Sequence, residues 1–414
     1  MSVSHADNAP LVTWPNDGYD RIPYQIYTDP EVYRQELETI FYGDSWGFVA
    51  LEAEVPKAGD FKSAWIGERP VIVTRAEDGS VNVIANRCAH RGVKFCHKDT
   101  GNAENFTCPY HQWMYDLKGN LLGVPFRRGI DGQGGMPKDF DRANHGLDTL
   151  QVHCENGAIF ASFSETVEPF ADFLGPEMLG YFNRVFDGRE LTLLGYSRQL
   201  IPGNWKLMME NLKDPYHASL LHIFLITFGL FRADNQSSVA MDDTGRHACL
   251  ISKRGEQKHT DKTRDMKRLW EDFNLQDPRI LDPVPEFPGD ATVVMQTLWP
   301  SLIIQQQSNT LAMRQIVPRG PGGHELRWTY FGYADDDEEM TRRRLRQANL
   351  MGPAGLVSVD DSEVLKVSQD GIEPFEEAAA VAEMGGRETE SQDHMVTEVG
   401  VRGFYKYYRQ VMGL

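Results

Sequence analysis

The chain has 414 residues, enough for two or three domains and a sizeable buried core. Its make-up, 41% hydrophobic and 25% charged, is ordinary for a soluble globular protein, and its net charge of −18 argues against nucleic acid or an anionic membrane as the main partner. No apolar run has membrane-spanning length, and the N-terminus, Met-Ser-Val-Ser-His-Ala-Asp, lacks the basic start and apolar core of a signal peptide; a cytoplasmic protein is expected. The five cysteines are too few and too unevenly spaced for a disulfide framework. Of these, Cys96, Cys154 and Cys249 are expected to be buried free thiols.

Residues 1–44 read as polar, then extended, then helical. Thr28 or Asp29 can cap the helix, with Pro30 at its first position and Tyr33, Leu37, Ile40 and Phe41 as its apolar stripe. From Trp46 to Phe163 the pattern changes to short strands. Val71–Arg75, an Asp-Gly turn and Val81–Ala85 form a hairpin signature, and Gly157–Phe163 reads as a closing strand.

Within this small all-β unit lie Cys88-Ala-His90 and, after 17 intervening residues, Cys108-Pro-Tyr-His111. Two thiolates and two imidazoles suit a [2Fe–2S] cluster with two cysteines on one iron and two histidines on the other. Zinc also binds two cysteines and two histidines, but zinc fingers pair Cys with Cys and His with His; here each arm mixes one of each. Gly92 and Pro109 suit tight ligand loops.

Beyond Phe163 the chain turns α+β. Trp205 to Leu212 reads as a helix capped by Asn204. It leads into Asp214-Pro215-Tyr216-His217 and then His222. Two histidines and a carboxylate from elsewhere make the facial triad of mononuclear non-haem iron(II), which leaves positions open for oxygen. On one continuous helix these histidines would stand about 140° apart. They can share a metal only if the helix ends or kinks, and Pro215 provides a cause. Leu220 to Phe231 is almost wholly apolar and reads as core or as the wall of an aromatic pocket.

Residues 253–290 are charged and turn-rich, as an exposed flap would be. Strands are expected at Thr292–Leu298, Ser301–Gln307, Thr310–Val317 and Glu325–Tyr333, forming an antiparallel sheet behind the catalytic helices. A helix opens near Asp335 with acids first and arginines after, and stops at Gly352-Pro353. The carboxylate of the triad is expected in Asp360-Asp361-Ser-Glu363; spacing does not choose among the three.

Cys-x-His…Cys-x₂-His followed by Asp-x₂-His-x₄-His resembles the catalytic α subunit of Rieske non-haem iron ring-hydroxylating oxygenases, over nearly the whole chain. The resemblance implies an all-β Rieske domain, 45–163, inserted in an α+β catalytic domain, 1–44 with 164–414. It implies that Cys88, His90, Cys108 and His111 hold the [2Fe–2S] cluster and that His217, His222 and Asp361 hold mononuclear Fe(II). Asp214 is implied as a bridge that accepts hydrogen bonds from a Rieske histidine and an iron-ligand histidine, across neighbouring subunits. Respiratory Rieske proteins carry an extra disulfide beside the cluster. Here Tyr110 stands where one of its cysteines would be, and Cys96 has no evident partner.

Within that family the resemblance runs to members acting on aromatic carboxylates. Its carriers include Cys-Pro-Tyr-His-Gln-Trp, Asn-Trp-Lys-Leu-Met-Met-Glu-Asn and Arg-Arg-Leu-Arg-Gln-Ala-Asn-Leu. The implied reaction is 5-hydroxylation of salicylate to gentisate with O2. The alternative is cis-dihydroxylation of anthranilate, a halobenzoate or terephthalate. The implied partners are a small β subunit in an α3β3 assembly, a ferredoxin, and a reductase through which NADH supplies electrons. Arginine gives a two-pronged match to a carboxylate. Arg314 and Arg402 lie in segments matching those of terephthalate dioxygenases and are the expected substrate-binding residues, with Met351 and Val357 as pocket candidates.

Overall fold

The computed structural model describes residues 11–227, 235–253 and 276–414. It divides into two compact units, Phe41–Phe170 with Gly188–Leu193, and Met1–Ile40 with Ala171–Asp187 and Leu194–Leu414.

The smaller unit is all β. Val81–Ala85, Arg69–Arg75, Asp60–Ile66 and Thr100–Asn102 form one sheet in that order, and the Asp-Gly hairpin pairs Val71 with Ala85 and Arg75 with Val81. Gly79 turns the chain at φ +82°, and Asp78 accepts from the Ser80 amide. Ala158–Ser162 lies between Gln151–Glu155 and Gly47–Leu51 in a second sheet. The ligand loops sit beside a third, of Phe106–Thr107, Met114–Tyr115 and Leu121–Gly123. Of the three leftover thiols Cys96 and Cys249 are buried as expected, whereas Cys154 is exposed, because Gln151–Glu155 is an outer strand of its sheet.

In the larger unit Asp29, rather than Thr28, caps the helix Pro30–Glu36, accepting from the Glu31 amide at 2.7 Å. Seven strands form one sheet, in the order Leu191–Ile201, His324–Tyr333, Thr310–Pro318, Leu302–Gln307, Val293–Leu298, Ala248–Ser252 and Ser237–Met241. The last four of the expected strands are its middle. Leu191–Ile201, Ser237–Met241 and Ala248–Ser252 extend it beyond what the patterning marked. Asn204 caps Trp205–Lys213, and Asp337 caps Glu338–Met351, which stops at Gly352 as expected. The unit also holds the helices Phe170–Val185, Leu356–Ile372 and Val399–Met412. Most of the charged stretch expected as a flap, residues 254–275, lies outside the described residues, as do residues 228–231 of the apolar run.

Candidate metal centres and substrate cavity

The two ligand loops of the β unit share one backbone plan. The Cys88 amide donates to the Val93 carbonyl (2.8 Å), and the Cys88 carbonyl accepts from the Gly92 amide (2.8 Å). Likewise the Cys108 amide donates to Trp113 and its carbonyl accepts from Gln112, both at 2.9 Å. Each loop reverses through a left-handed residue four places after its cysteine: Gly92 at φ +72° and Gln112 at φ +54°. Glycine adopts that region freely, whereas for glutamine it costs about 1 kcal/mol.

Both cysteines are buried. Burial raises the Cys108 thiol pKa; the Tyr110 and His111 amides oppose that shift and aim at the sulfur as they would at a bound thiolate. Tyr115 Oη lies 3.2 Å from Cys88 Sγ. The rings of His90 and His111 stand 4.6 Å apart, and His90 stacks flat on Trp113. His90 Nδ1 is buried without a hydrogen-bond partner, as a ligand nitrogen would be. Zinc would need all four donors around one point. Among the described residues, only His217, His222 and Asp361 form a set of three or more such donors lying within 4.8 Å of one another. The cysteine and histidine pairs therefore form separate halves, which suits two irons and not one zinc.

That converging set depends on a broken helix. Trp205–Lys213 ends where Asp214 turns extended (φ −105°, ψ 97°) before Pro215. His217 then opens the single turn Ala218–Leu221, and His222 closes it at φ −83°, ψ 78°. The breaks bring the imidazoles to one side, with ring centroids 5.4 Å apart. Asp361 Oδ1, from Leu356–Ile372, lies 3.5 Å from His217 Nε2 and 3.3 Å from His222 Nε2. These separations are long for hydrogen bonds but fit donors arranged around an ion at about 2.0–2.2 Å. Asn211 Nδ2 donates to Asp361 Oδ1 at 3.1 Å. Asp214 accepts from the Tyr216 amide (2.7 Å) and stands 3.4 Å from His217 Nδ1. Burial disfavours charge on His217, yet Asp214 and Asp361 outweigh it and lift its pKa to about 10. Burial likewise opposes ionisation of Asp361, and the two histidines outweigh it, holding that carboxyl well below its usual range. Asp214 and Asp361 favour positive charge beside them, as a ferrous ion would bring.

Two family models match the chain in succession. A Rieske [2Fe–2S] domain model matches residues 45–133, and a ring-hydroxylating alpha subunit catalytic-domain model matches residues 184–414. The chain belongs to the ring-hydroxylating α-subunit family. It carries a Rieske [2Fe–2S] domain and a catalytic domain that binds mononuclear iron. It is 54% identical to the large oxygenase component of salicylate 5-hydroxylase from Ralstonia sp., over 97% of this chain and 96% of that one. It is 46% identical to the anthranilate 1,2-dioxygenase large subunit of Burkholderia cepacia, over 98% and 97%. Naphthalene 1,2-dioxygenase from Rhodococcus sp. shares the fold, with a TM-score of 0.78 at 24% identity over 95% and 94%.

In this α subunit the triad lines a cavity. Its apolar lining includes Leu225, Val293 and Met295, with Met351 and Val357 as expected. Leu225 is the member of the apolar run that lines it, and Phe224 packs with the neighbouring core. Thus that run acts both as core and as wall. Arg314 also lines the cavity. Its guanidinium is buried, with Nη1 donating to Gln305 Oε1 (3.1 Å), its plane over Trp328 and Nε without a partner. Burial lowers its pKa to about 10, a shift that the charge on Asp361 opposes.

Arg402 does not reach this cavity. It lies in Val399–Met412, where Nε donates to the Glu388 carbonyl (2.8 Å) and Nη1 to the carbonyls of Ala382 (2.9 Å) and Met384 (3.0 Å). An arginine that ties a loop by its carbonyls has the same sequence signature as one that faces a ligand, which is why the expectation fails. Asn211, Gln305 and Gln307 escaped the sequence reading. The two glutamines are two apart on one strand and so share a face, the one available signal.

Proposed function

We propose that this α subunit is the terminal oxygenase of a salicylate 5-hydroxylase, converting salicylate to gentisate. One atom of O2 enters the ring and the other leaves as water, with two electrons drawn from NADH through a reductase and a ferredoxin. The observation that carries this reading is Arg314: a buried cation in the iron cavity, bonded to Gln305 and to no carboxylate among the described residues. An aromatic carboxylate supplies the missing charge. Supporting it are the 54% identity to a salicylate 5-hydroxylase component and the 40% identity to a terephthalate dioxygenase α subunit from Comamonas sp..

Arg314 binds the substrate carboxylate, and Gln305 fixes the direction of its fork. Leu225, Met295 and Val357 enclose the ring and exclude water. His217, His222 and Asp361 are the iron ligands, and Cys88, His90, Cys108 and His111 hold the cluster. When bound, the cluster supplies electrons one at a time and the iron activates oxygen. Asp214 orients His217 and bridges to a Rieske histidine of a neighbouring subunit. Residues 45–163 are the electron-relay domain, and 1–44 with 164–414 the catalytic domain. A small β subunit in an α3β3 assembly completes the oxygenase.

The likeness to anthranilate 1,2-dioxygenase supports a second reading, cis-dihydroxylation. Turnover of salicylate and anthranilate with β subunit, ferredoxin and reductase separates them. Gentisate formed in step with NADH consumption is the expected result. Catechol from anthranilate, with both new oxygens drawn from O2 and with CO2 and ammonia released, would favour dihydroxylation.

A further inference from the structure

The triad aspartate has a neighbour that the iron reading does not use. His222 Nδ1, on the edge of the ring away from Asp361, lies 3.4 Å from Asp360 Oδ2. The same distance separates His217 Nδ1 from Asp214 Oδ2. Each histidine therefore presents Nε2 to the centre and Nδ1 to a carboxylate. A histidine that ligates through Nε2 must carry its proton on Nδ1, and that proton needs an acceptor in a ring as buried as His222, 3% exposed. Consecutive helical residues project about 100° apart. Two adjacent aspartates of Leu356–Ile372 can thus reach opposite edges of one imidazole.

We propose that Asp360 is a positioning residue: it accepts the Nδ1 proton of His222, fixes the ring's orientation and tautomer, and strengthens its Nε2 as an iron donor. This inference rests on the reading of His217, His222 and Asp361 as the iron site. Asp360 remains partly exposed, with 35% of its side chain accessible.

The test uses the full oxygenase with Asp360→Ala and Asp360→Asn. Ferrous affinity is read by competition with a chromogenic chelator, and the site's symmetry by the electron paramagnetic resonance of its nitric oxide complex. Rieske absorption reports folding. Asp360→Ala is expected to weaken iron binding by about 10- to 100-fold and alter the nitric oxide signal, with Rieske absorption unchanged. Asp360→Asn keeps an acceptor oxygen and is expected to lose only part of that affinity. If both bind iron as the parent does with its signal, the proposal is overturned while the iron site stands. If the parent shows no ferrous site beyond the cluster, both fall. Should Asp360→Ala misfold, the Asn variant decides.

Discussion

The residues proposed to hold the Rieske cluster come from two short loops whose backbones bond to themselves, whereas the proposed iron triad joins a broken helix to an aspartate far along the chain. In the first, each cysteine's own amide and carbonyl close the loop within five residues, and the ligand positions follow from that closure. In the second, nothing local unites the donors; Asp361 reaches the histidines because Leu356–Ile372 packs near them. The β unit thus holds its site by local turns, and the larger unit by long-range packing.

The largest expected effect breaks the pair apart. His217→Ala should abolish turnover and remove the mononuclear iron while leaving Rieske absorption intact; Cys108→Ser should also abolish turnover, but by removing Rieske absorption while the mononuclear iron stays. Metal analysis with visible spectra checks both, and loss of both centres in either variant would contradict independent construction.

Next comes the cavity. Arg314→Ala should raise the KM for salicylate by a factor matching about 2–5 kcal/mol, because a buried carboxylate is left unpaired. A neutral analogue such as phenol should change only a few-fold. Equal effects on both would make Arg314 a structural residue.

The smallest effect tests the loop plan. A side chain at Gly92 would meet open space, so Gly92→Ala should cost only its backbone strain, about 1 kcal/mol. Thermal unfolding should show a shift of a few degrees with the cluster retained. Wholesale cluster loss would mean that the loop depends on more than its turn.

What could be read without coordinates follows the same division. Asp29 and Asn204 act on amides two residues away, and the Asp-Gly hairpin pairs strands across one short turn, so spacing reveals them. The mixed Cys and His arms were legible for the same reason. The break at Pro215 was legible as a necessity, though not the second break at His222. The outer strands were less visible: Leu191–Ile201 interleaves exposed and half-buried residues, while Ala248–Ser252 is mostly buried.

The sequence by itself determined which residue types are available to bind metal, that they fall into two sets, and where helices must start or stop. Those are matters of local backbone chemistry. Tertiary structure alone decided that Asp361 meets the two Nε2 atoms while Asp360 meets Nδ1, that Arg314 faces the cavity, and that Arg402 ties down a loop. Adjacent aspartates and similar arginines have the same chemistry; only the packing of distant elements sets which face each presents, and to what.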